Sequence, residues 1–193
     1  MTRALIGALL AMVTAVPLGA GQFGMFGKTK TKTFTAGDFS MQYPDGGGWR
    51  LTPGAQDVLA LINKQPDVRV AVIRVRQVNA VSVDDVELLK LFAQLEADEV
   101  RVDIPDAGDL GHAIVGHATL GRIVRIDFTR PSVTAPKPGV RERAQLFSIP
   151  AGSVLYRVVF SASPREFDKE APRFAAMLDS VRIGKPASQG DAP

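Results

Sequence analysis

The 193-residue chain contains no cysteine, which excludes a disulfide framework, a thiol nucleophile, cysteine-ligated zinc, an iron–sulfur cluster and cysteine lipidation. Histidine and tryptophan are also scarce, with two and one residues respectively. The apolar run Ala4–Val16 is 13 residues long, whereas a membrane span needs roughly 20. What is present, 46% hydrophobic and 22% charged residues, is the composition of an ordinary globular protein, and the length suits one domain.

The first twenty residues have the layout of a secretory signal peptide. Arg3 supplies one positive charge, Ala4–Val16 is apolar, and a break at Pro17 leads to the small residue Ala20. We therefore predict cleavage after Ala20 and a periplasmic or secreted protein with no transmembrane span after cleavage. A buried N-terminal helix and an uncleaved anchor are the alternatives.

The charge balance argues against a nucleic-acid partner. The net charge of +3 includes Arg3, and without the signal peptide 22 basic residues stand against 20 acidic ones. No basic block occurs in the chain, and an exported protein rarely meets nucleic acid.

Composition divides the remaining chain into one domain and two loose ends. Residues 21–33, rich in Gly, Lys and Thr, predict a flexible linker, and residues 184–193 predict a disordered tail. Residues 34–183 predict the folded domain. Its alternating and β-branched runs, separated by Gly and Pro, predict strands at Phe39–Tyr43, Trp49–Leu51, Val58–Ile62, Val68–Val78, His112–Ala118, Gly121–Thr129, Arg141–Ile149, Val154–Ala162 and Ser180–Ile183. The phase of Val68–Val78 suggests a bulge near Ala71–Ile73, because Arg69 falls on the opposite face from Arg74.

Two helices are predicted between these strands. Ser82 is placed to cap a helix over Val83–Asp98, and its apolar face should comprise Leu88, Leu91, Phe92 and Leu95 packed against a sheet. Ser163-Pro164-Arg165-Glu166 opens the second helix, with Phe167, Ala171, Phe174 and Leu178 on its apolar face. Pro172 should kink or split this helix, because it removes one backbone hydrogen bond.

Several features in this order resemble a known family. The opening strand ends in Tyr43-Pro44 with Trp49 after the turn, and Tyr156–Ser163 feeds a helix that ends at Phe174–Ile183. Over Phe34–Ile183 the chain resembles the PsbP-like family, and exported bacterial DcrB-like proteins look similar. It departs from the family in the longer turn between Tyr43 and Trp49 and in the absence of the lipidated cysteine of many bacterial members.

The resemblance implies an α+β fold, a three-layer α/β/α sandwich around a mainly antiparallel sheet. Members of the family are mostly non-enzymatic: accessory subunits on the luminal face of photosystem II, a Ran-binding relative and exported bacterial proteins. For this chain the resemblance implies an exported accessory or binding protein that docks on a membrane-associated or envelope protein complex. Nothing in the residue spacing indicates a photosynthetic association.

The partner-binding candidates lie mainly in one loop, Arg130–Arg143, which contains three prolines. Arg130, Lys137, Arg141 and Arg143 are placed to meet an acidic protein surface or anionic headgroups, and proline limits the entropy lost on docking. The competing interpretation is a solvated loop whose charges keep the protein soluble. Trp49, beside a glycine turn, is the other candidate, with core packing as its alternative.

Residues able to support catalysis or metal binding are few. His112 and His117 are five positions apart, which on a strand puts them on opposite faces, so they can share a metal site only if a loop or bulge lies between them. Two carboxylate clusters, Asp84-Asp85-Glu87 and Glu96-Asp98-Glu99, are explained by helix-end electrostatics and solvation rather than calcium. We therefore predict no cofactor, no metal and no enzymatic activity. A small-ligand or lipid carrier and a hydrolase that uses the His112 region are the alternative functions.

Overall fold

The computed structural model describes residues 30–54, 58–65, 67–76, 82–132 and 139–184. The predicted signal peptide, residues 21–29 of the linker and residues 185–193 of the tail lie outside these ranges. In chain order the elements are β1 (Thr31–Ala36), β2 (Phe39–Pro44), β3 (Trp49–Pro53), β4 (Val58–Lys64), β5 (Val68–Arg76), α1 (Val86–Asp103), β6 (Gly108–His117), β7 (Gly121–Pro131), β8 (Arg141–Ala151), β9 (Val154–Ala162), α2 (Pro164–Asp179) and β10 (Arg182–Ile183).

The strands form two antiparallel sheets. The main sheet has seven strands in the order β3-β4-β5-β9-β8-β7-β6, and the small sheet has three in the order β1-β2-β10. Tight turns between β6 and β7 and between β8 and β9 make a meander, as the short connections in the sequence predict.

The helices pack on opposite faces of the main sheet. Phe160 of β9 stacks on Phe174 of α2 with ring centroids 4.8 Å apart, and the small sheet adds Phe39 and Met41 to this core. Val159, the next residue of β9, belongs to a second core that includes Phe92 of α1. Because alternate residues of a strand point to opposite faces, the sheet separates two helical layers. The predicted α+β three-layer sandwich around an antiparallel sheet is confirmed.

The start of the folded region and the irregularity of the main sheet differ from the prediction. Strand β1 begins at Thr31, within the predicted linker, because its Lys-Thr alternation pairs with β2 in a regular ladder. The bulge near Ala71–Ile73 is wrong. The pairing between β5 and β9 is regular, and the register shift lies in β4, between Val58 and Ala60. Arg69 needs no bulge, because a buried carboxylate on its face of the sheet pairs with it.

Helix α2 begins at Pro164, as predicted, and continues through Pro172 without splitting. Ser163 occupies the N-cap position, but its side chain makes no capping hydrogen bond. The helix tolerates the loss of one backbone hydrogen bond at Pro172 because Phe167, Phe174 and Leu178 are buried on both sides of it. Ala171, predicted on the same apolar face, is exposed instead.

Tyr156 of β9 joins the main sheet to the turn before β2, because its hydroxyl donates a hydrogen bond to the carboxylate of Asp38. Burial and this hydrogen bond raise the pKa of Tyr156 from 10.0 to about 12. The fold therefore favours the neutral phenol, and this stabilisation is complete below pH 10.0 and is lost as the pH rises through about 12.

We expect an absorbance titration of tyrosinate to show a component with a midpoint near pH 12, and Tyr156→Phe should remove it. Asp38→Asn should lower that midpoint only part of the way towards 10.0, because burial is the larger cause. A native-state Tyr156 midpoint close to 10.0 would contradict the buried hydrogen bond.

Candidate functional site

The most exposed apolar surface in the described part of the chain lies on helix α1. The helix begins at Val86, and the carboxylate of Asp85 caps it by accepting a hydrogen bond of 2.9 Å from the N–H of Leu88. It ends at Asp103. The predicted cap at Ser82 is therefore wrong, because the Ser82 hydroxyl accepts from the N–H of Asp84, which precedes the helix. The predicted end at Asp98 is also wrong, because the helix continues to Asp103.

The face of α1 that contacts the sheet is also not the predicted one. Phe92 is buried as expected, but Leu91 and Leu95 are 65% and 67% exposed, and Leu88 is 38% exposed. The helix instead buries a neighbouring stripe: Leu89, Phe92, Ala93, Glu96, Ala97 and Val100. Both stripes have helical spacing, so periodicity alone does not distinguish between them.

Two properties of the buried stripe explain the rotation of the helix. Its centre carries Ala93 and Ala97, whose small side chains let the helix backbone approach the sheet closely. It also carries Glu96, which pairs with Arg157 on β9. With the stripe of Leu91 and Leu95 turned inward, both charges would lose this pairing.

The Glu96–Arg157 contact is bidentate. Arg157 Nε lies 3.0 Å from Glu96 Oε2, and Nη2 lies 2.7 Å from Glu96 Oε1. The hydroxyl of Ser148 donates a further hydrogen bond to Glu96, and Arg157 Nη1 reaches Glu99 Oε1 at 2.8 Å. Burial by itself would lower the pKa of Arg157, but the hydrogen bonds to the two carboxylates outweigh it and raise the pKa. The hydrogen bond from Arg157 also lowers the pKa of Glu99. Helix α1 is thereby fixed in rotation by a buried ion pair.

We call the outward-facing residues Leu88, Leu91, Leu95 and Val102 the α1 stripe. Their spacing of three, four and seven residues places them along one line on the helix surface. Among the described residues, most of the large hydrophobic side chains classed as exposed are on α1; the others are Leu61 and Val140. Polar side chains border the stripe: Glu87 pairs with Lys90 at 2.7 Å, and Asp98 pairs with Arg101 at 2.5 Å.

Arg130 is held within the protein rather than presented to solvent. Its Nε donates to Glu142 Oε1 at 2.6 Å, and its Nη2 lies 3.3 Å from the hydroxyl of Ser161. Glu142 is buried and also pairs with Arg69 of β5. Two arginines therefore share one buried carboxylate, an arrangement that neither the loop composition nor its length predicts.

The other predicted cations at the ends of the loop also have internal partners. Arg141 Nη2 donates to the carbonyl of Asp106 at 2.7 Å, and Arg143 Nη1 lies 2.6 Å from Asp168 of α2. The guanidinium of Arg143 also lies 4.8 Å from the ring centre of Phe167. Lys137 lies outside the described residues.

Trp49 is a core residue. It is 7% exposed and packs in the core between the main sheet and α2, so almost none of its indole is available to a partner. The glycines before Trp49 are needed for the chain to reverse direction, because Gly46, Gly47 and Gly48 all have positive φ.

The two histidines occupy different environments. His112 is exposed on β6, whereas His117 is buried at the end of that strand. The N–H groups of Thr119 and Leu120 both donate to His117 Nδ1 at 3.2 Å, so Nε2 carries the proton and donates to the carbonyl of Leu178 at 3.0 Å. His117 therefore holds the β6–β7 turn against the end of α2.

The comparisons with known proteins identify the fold. The solution structure of cyanobacterial PsbP (CyanoP) from Synechocystis sp. PCC 6803 matches with a TM-score of 0.53 at 14% identity, over 87% of this chain and 99% of that one. A crystal structure from Bacteroides thetaiotaomicron VPI-5482 matches with a TM-score of 0.51 at 14% identity, over 81% of this chain and 50% of that one. No protein-family model and no curated protein sequence matches the chain. The predicted resemblance to PsbP-like proteins is confirmed for the fold.

No helix among the described residues is long and apolar enough to cross a membrane.

Proposed function

We propose that this protein is an exported, non-enzymatic accessory protein that docks on a protein complex at the membrane surface, and that the α1 stripe is its docking surface. The observation that carries the proposal is the stripe itself. Leu91 and Leu95 expose about two thirds of their side chains on consecutive turns of a regular helix. A contiguous apolar surface bordered by charges is characteristic of protein interaction sites.

The position of the stripe suits recognition by another protein. Apolar residues three and four positions apart are the anchors by which a helix packs against a partner groove or a partner helix. The Glu96–Arg157 pair fixes the rotation of α1, so little conformational entropy is lost when the stripe docks. The bordering ion pairs are exposed, and they can exchange partners at small cost.

Two further lines support the proposal. The PsbP-like fold implies an accessory role by resemblance, and the layout of residues 1–20 predicts export. The cationic loop that the sequence favours is a weaker candidate, because Arg130, Arg141 and Arg143 each already have a partner within the chain. Arg143 also lies on the face of the main sheet opposite α1. The two surfaces can therefore be tested separately.

Site-specific photocrosslinking in native envelopes tests the proposal. A photoreactive residue at position 91 or 95 should give a discrete adduct with a component of an envelope complex, whereas one at Ala171, exposed on α2, should not. Leu91→Gln, with the probe at position 95, should weaken the adduct at least about tenfold, since a central apolar anchor carries much of the binding energy. Its free energy of unfolding should change by less than about 0.5 kcal/mol.

Arg143→Glu is the matched control for the cationic loop. It should leave the adduct at position 95 unchanged, because Arg143 lies on the α2 face. Adducts that form at Ala171 but not at position 91, or that depend on Arg143 and not on Leu91, would contradict docking through α1. Loss of a hydrolytic activity in His112→Ala would instead favour the enzyme alternative.

A further inference from the structure

The segment that contains helix α1 is strongly acidic. Residues 82–109 hold nine of the chain's 20 acidic residues but only two of its 23 basic residues, Lys90 and Arg101. The rest of the chain has 21 basic residues and 11 acidic ones. The net charge of +3 is therefore the balance between an acidic segment and a basic remainder.

Acidic side chains border the α1 stripe on both of its flanks. Because each residue advances about 100° around a helix, Glu87 and Asp98 lie on one side of the leucines and Glu99 lies on the other. Lys90 and Arg101 lie further from the leucines, beyond Glu87 and Asp98. The side chains of Glu87, Asp98 and Glu99 are 80%, 51% and 47% exposed, so a partner that covers the leucines can reach all three.

Both ends of the stripe are acidic as well. Asp84 and Asp85 precede the helix, Asp103 ends it, and Asp106 and Asp109 follow it; all five residues are exposed. Among the described residues, none of these five carboxylates has a cationic partner. The described part of the chain therefore leaves the negative charge at both ends of the stripe uncompensated.

We infer that the partner of the α1 stripe is a basic protein surface, in which apolar side chains are bordered by lysine or arginine. The inference rests on the proposed function, since it names the chemistry of the partner at the same docking surface. The partner's apolar side chains cover Leu91 and Leu95, and its cations pair with Glu87, Asp98 and Glu99. Burial of the leucines supplies affinity, whereas the complementary charges speed encounter and fix the register.

The same charges disfavour two other occupants of the stripe. A second copy of α1 would set acidic side chains against acidic side chains, and like charges across an interface weaken binding. An anionic lipid surface is repelled for the same reason, since helices that bind such surfaces carry Lys and Arg on their polar face. The acidic flanks therefore select a cationic protein over both.

The photocrosslinked adduct at position 95 tests the chemistry of the partner directly. Mass spectrometry of the digested adduct identifies the partner segment that lies against the stripe, and this segment should contain more Lys and Arg than Asp and Glu. Asp98→Lys should weaken the adduct about fivefold, because it sets a cation against the partner's cations. Asp179→Lys, which makes the same change at an exposed position on α2, is the matched control and should leave the adduct unchanged.

Two synthetic amphipathic peptides test the same chemistry with the purified protein. Both have leucines at helical spacing, and the residues beside the leucines are lysine in one peptide and glutamate in the other. Fluorescence anisotropy in about 50 mM salt should give a Kd at least about tenfold lower for the lysine peptide, and about 500 mM salt should narrow this difference, because salt screens exposed charges. Leu91→Gln and Asp98→Lys should each weaken binding of the lysine peptide, whereas Asp179→Lys should not. Circular dichroism of each variant establishes that its fold is unchanged.

Equal affinity for the two peptides overturns the inference, and so does binding of the lysine peptide that Asp98→Lys leaves unchanged. Failure here is distinct from failure of the proposed function. An adduct at position 95 that depends on Leu91 but not on Asp98, and that joins an acidic or uncharged partner segment, keeps docking through the stripe and overturns only the basic partner. Binding to phosphatidylglycerol vesicles that Leu91→Gln abolishes, without selective binding of the lysine peptide, would assign the stripe to a lipid surface instead.

Discussion

Replacing Arg157 with methionine is expected to lower the free energy of unfolding by about 3 to 5 kcal/mol, which would be among the largest effects of any single substitution in this protein. Methionine keeps most of the apolar stem but removes the guanidinium. Glu96, which lies 2.7 Å from that group and is buried, would then retain only the hydroxyl of Ser148 as a partner. An uncompensated buried carboxylate is the source of the cost. Denaturant unfolding followed by far-UV circular dichroism measures it.

Two control variants separate this cause from a general loss of packing. Glu99→Gln removes the outer, half-exposed partner of Arg157 and should cost less than about 1 kcal/mol. The double variant Glu96→Met, Arg157→Met should recover most of the lost stability, because apolar residues of similar length can replace a buried pair. If Arg157→Met costs no more than Glu99→Gln, the pair does not anchor α1.

The Arg157 variants also connect stability to function. The Glu96–Arg157 pair fixes which side of α1 faces the sheet, and therefore which side carries Leu91 and Leu95. We expect Arg157→Met to weaken the envelope adduct at position 95, whereas the Met–Met double variant, which restores packing of the same helix face, should recover it.

Replacing Glu142 with leucine is expected to destabilise the fold by about 3 to 5 kcal/mol, because two arginines would lose the carboxylate that they share. Glu142 is 2% exposed and bonded to both Arg69 and Arg130, and these cations would then repel each other at the edge of the core. Thermal and urea unfolding of the variant measure the loss.

Asp168→Ala is the matched control for Glu142, since it breaks the exposed ion pair with Arg143 and should cost less than about 1 kcal/mol. Replacing Arg69, Arg130 and Glu142 together with apolar residues should give a protein more stable than Glu142→Leu alone. A mild effect of Glu142→Leu would contradict the shared-carboxylate arrangement. Arg130 shares this carboxylate, so Arg130→Ala should also destabilise the fold. A loss of binding in that variant would therefore not by itself indicate a contact between Arg130 and a partner.

Local signals predicted the strands and the second helix well. Strand β9 occupies Val154–Ala162 as predicted, because a β-branched run between a glycine turn and a proline strongly favours a strand over a helix. The start of α2 at Pro164 follows from proline geometry. The sequence did not predict strand β1, because its alternating Lys and Thr residues are also typical of a flexible linker. Pairing with β2 is what makes this segment a strand. The candidate site was predicted less well: Trp49 is in the core, and Arg130 is bound to a buried carboxylate. Arg141 and Arg143 are exposed but have partners within the chain, and their role in binding stays a prediction.

The sequence by itself excluded cysteine chemistry and predicted the antiparallel meander, because these depend on composition and on short-range periodicity. Its resemblance to PsbP-like proteins implied the three-layer fold, and the export signal in residues 1–20 stays a prediction. Only the tertiary structure decided the orientation of α1. Its sequence offers two apolar stripes of helical spacing, and the choice between them depends on what the sheet presents: Arg157, brought from 61 residues away to pair with Glu96. That long-range pair turns Leu91 and Leu95 outward, so the surface that we propose for docking consists of residues whose pattern alone predicts a core.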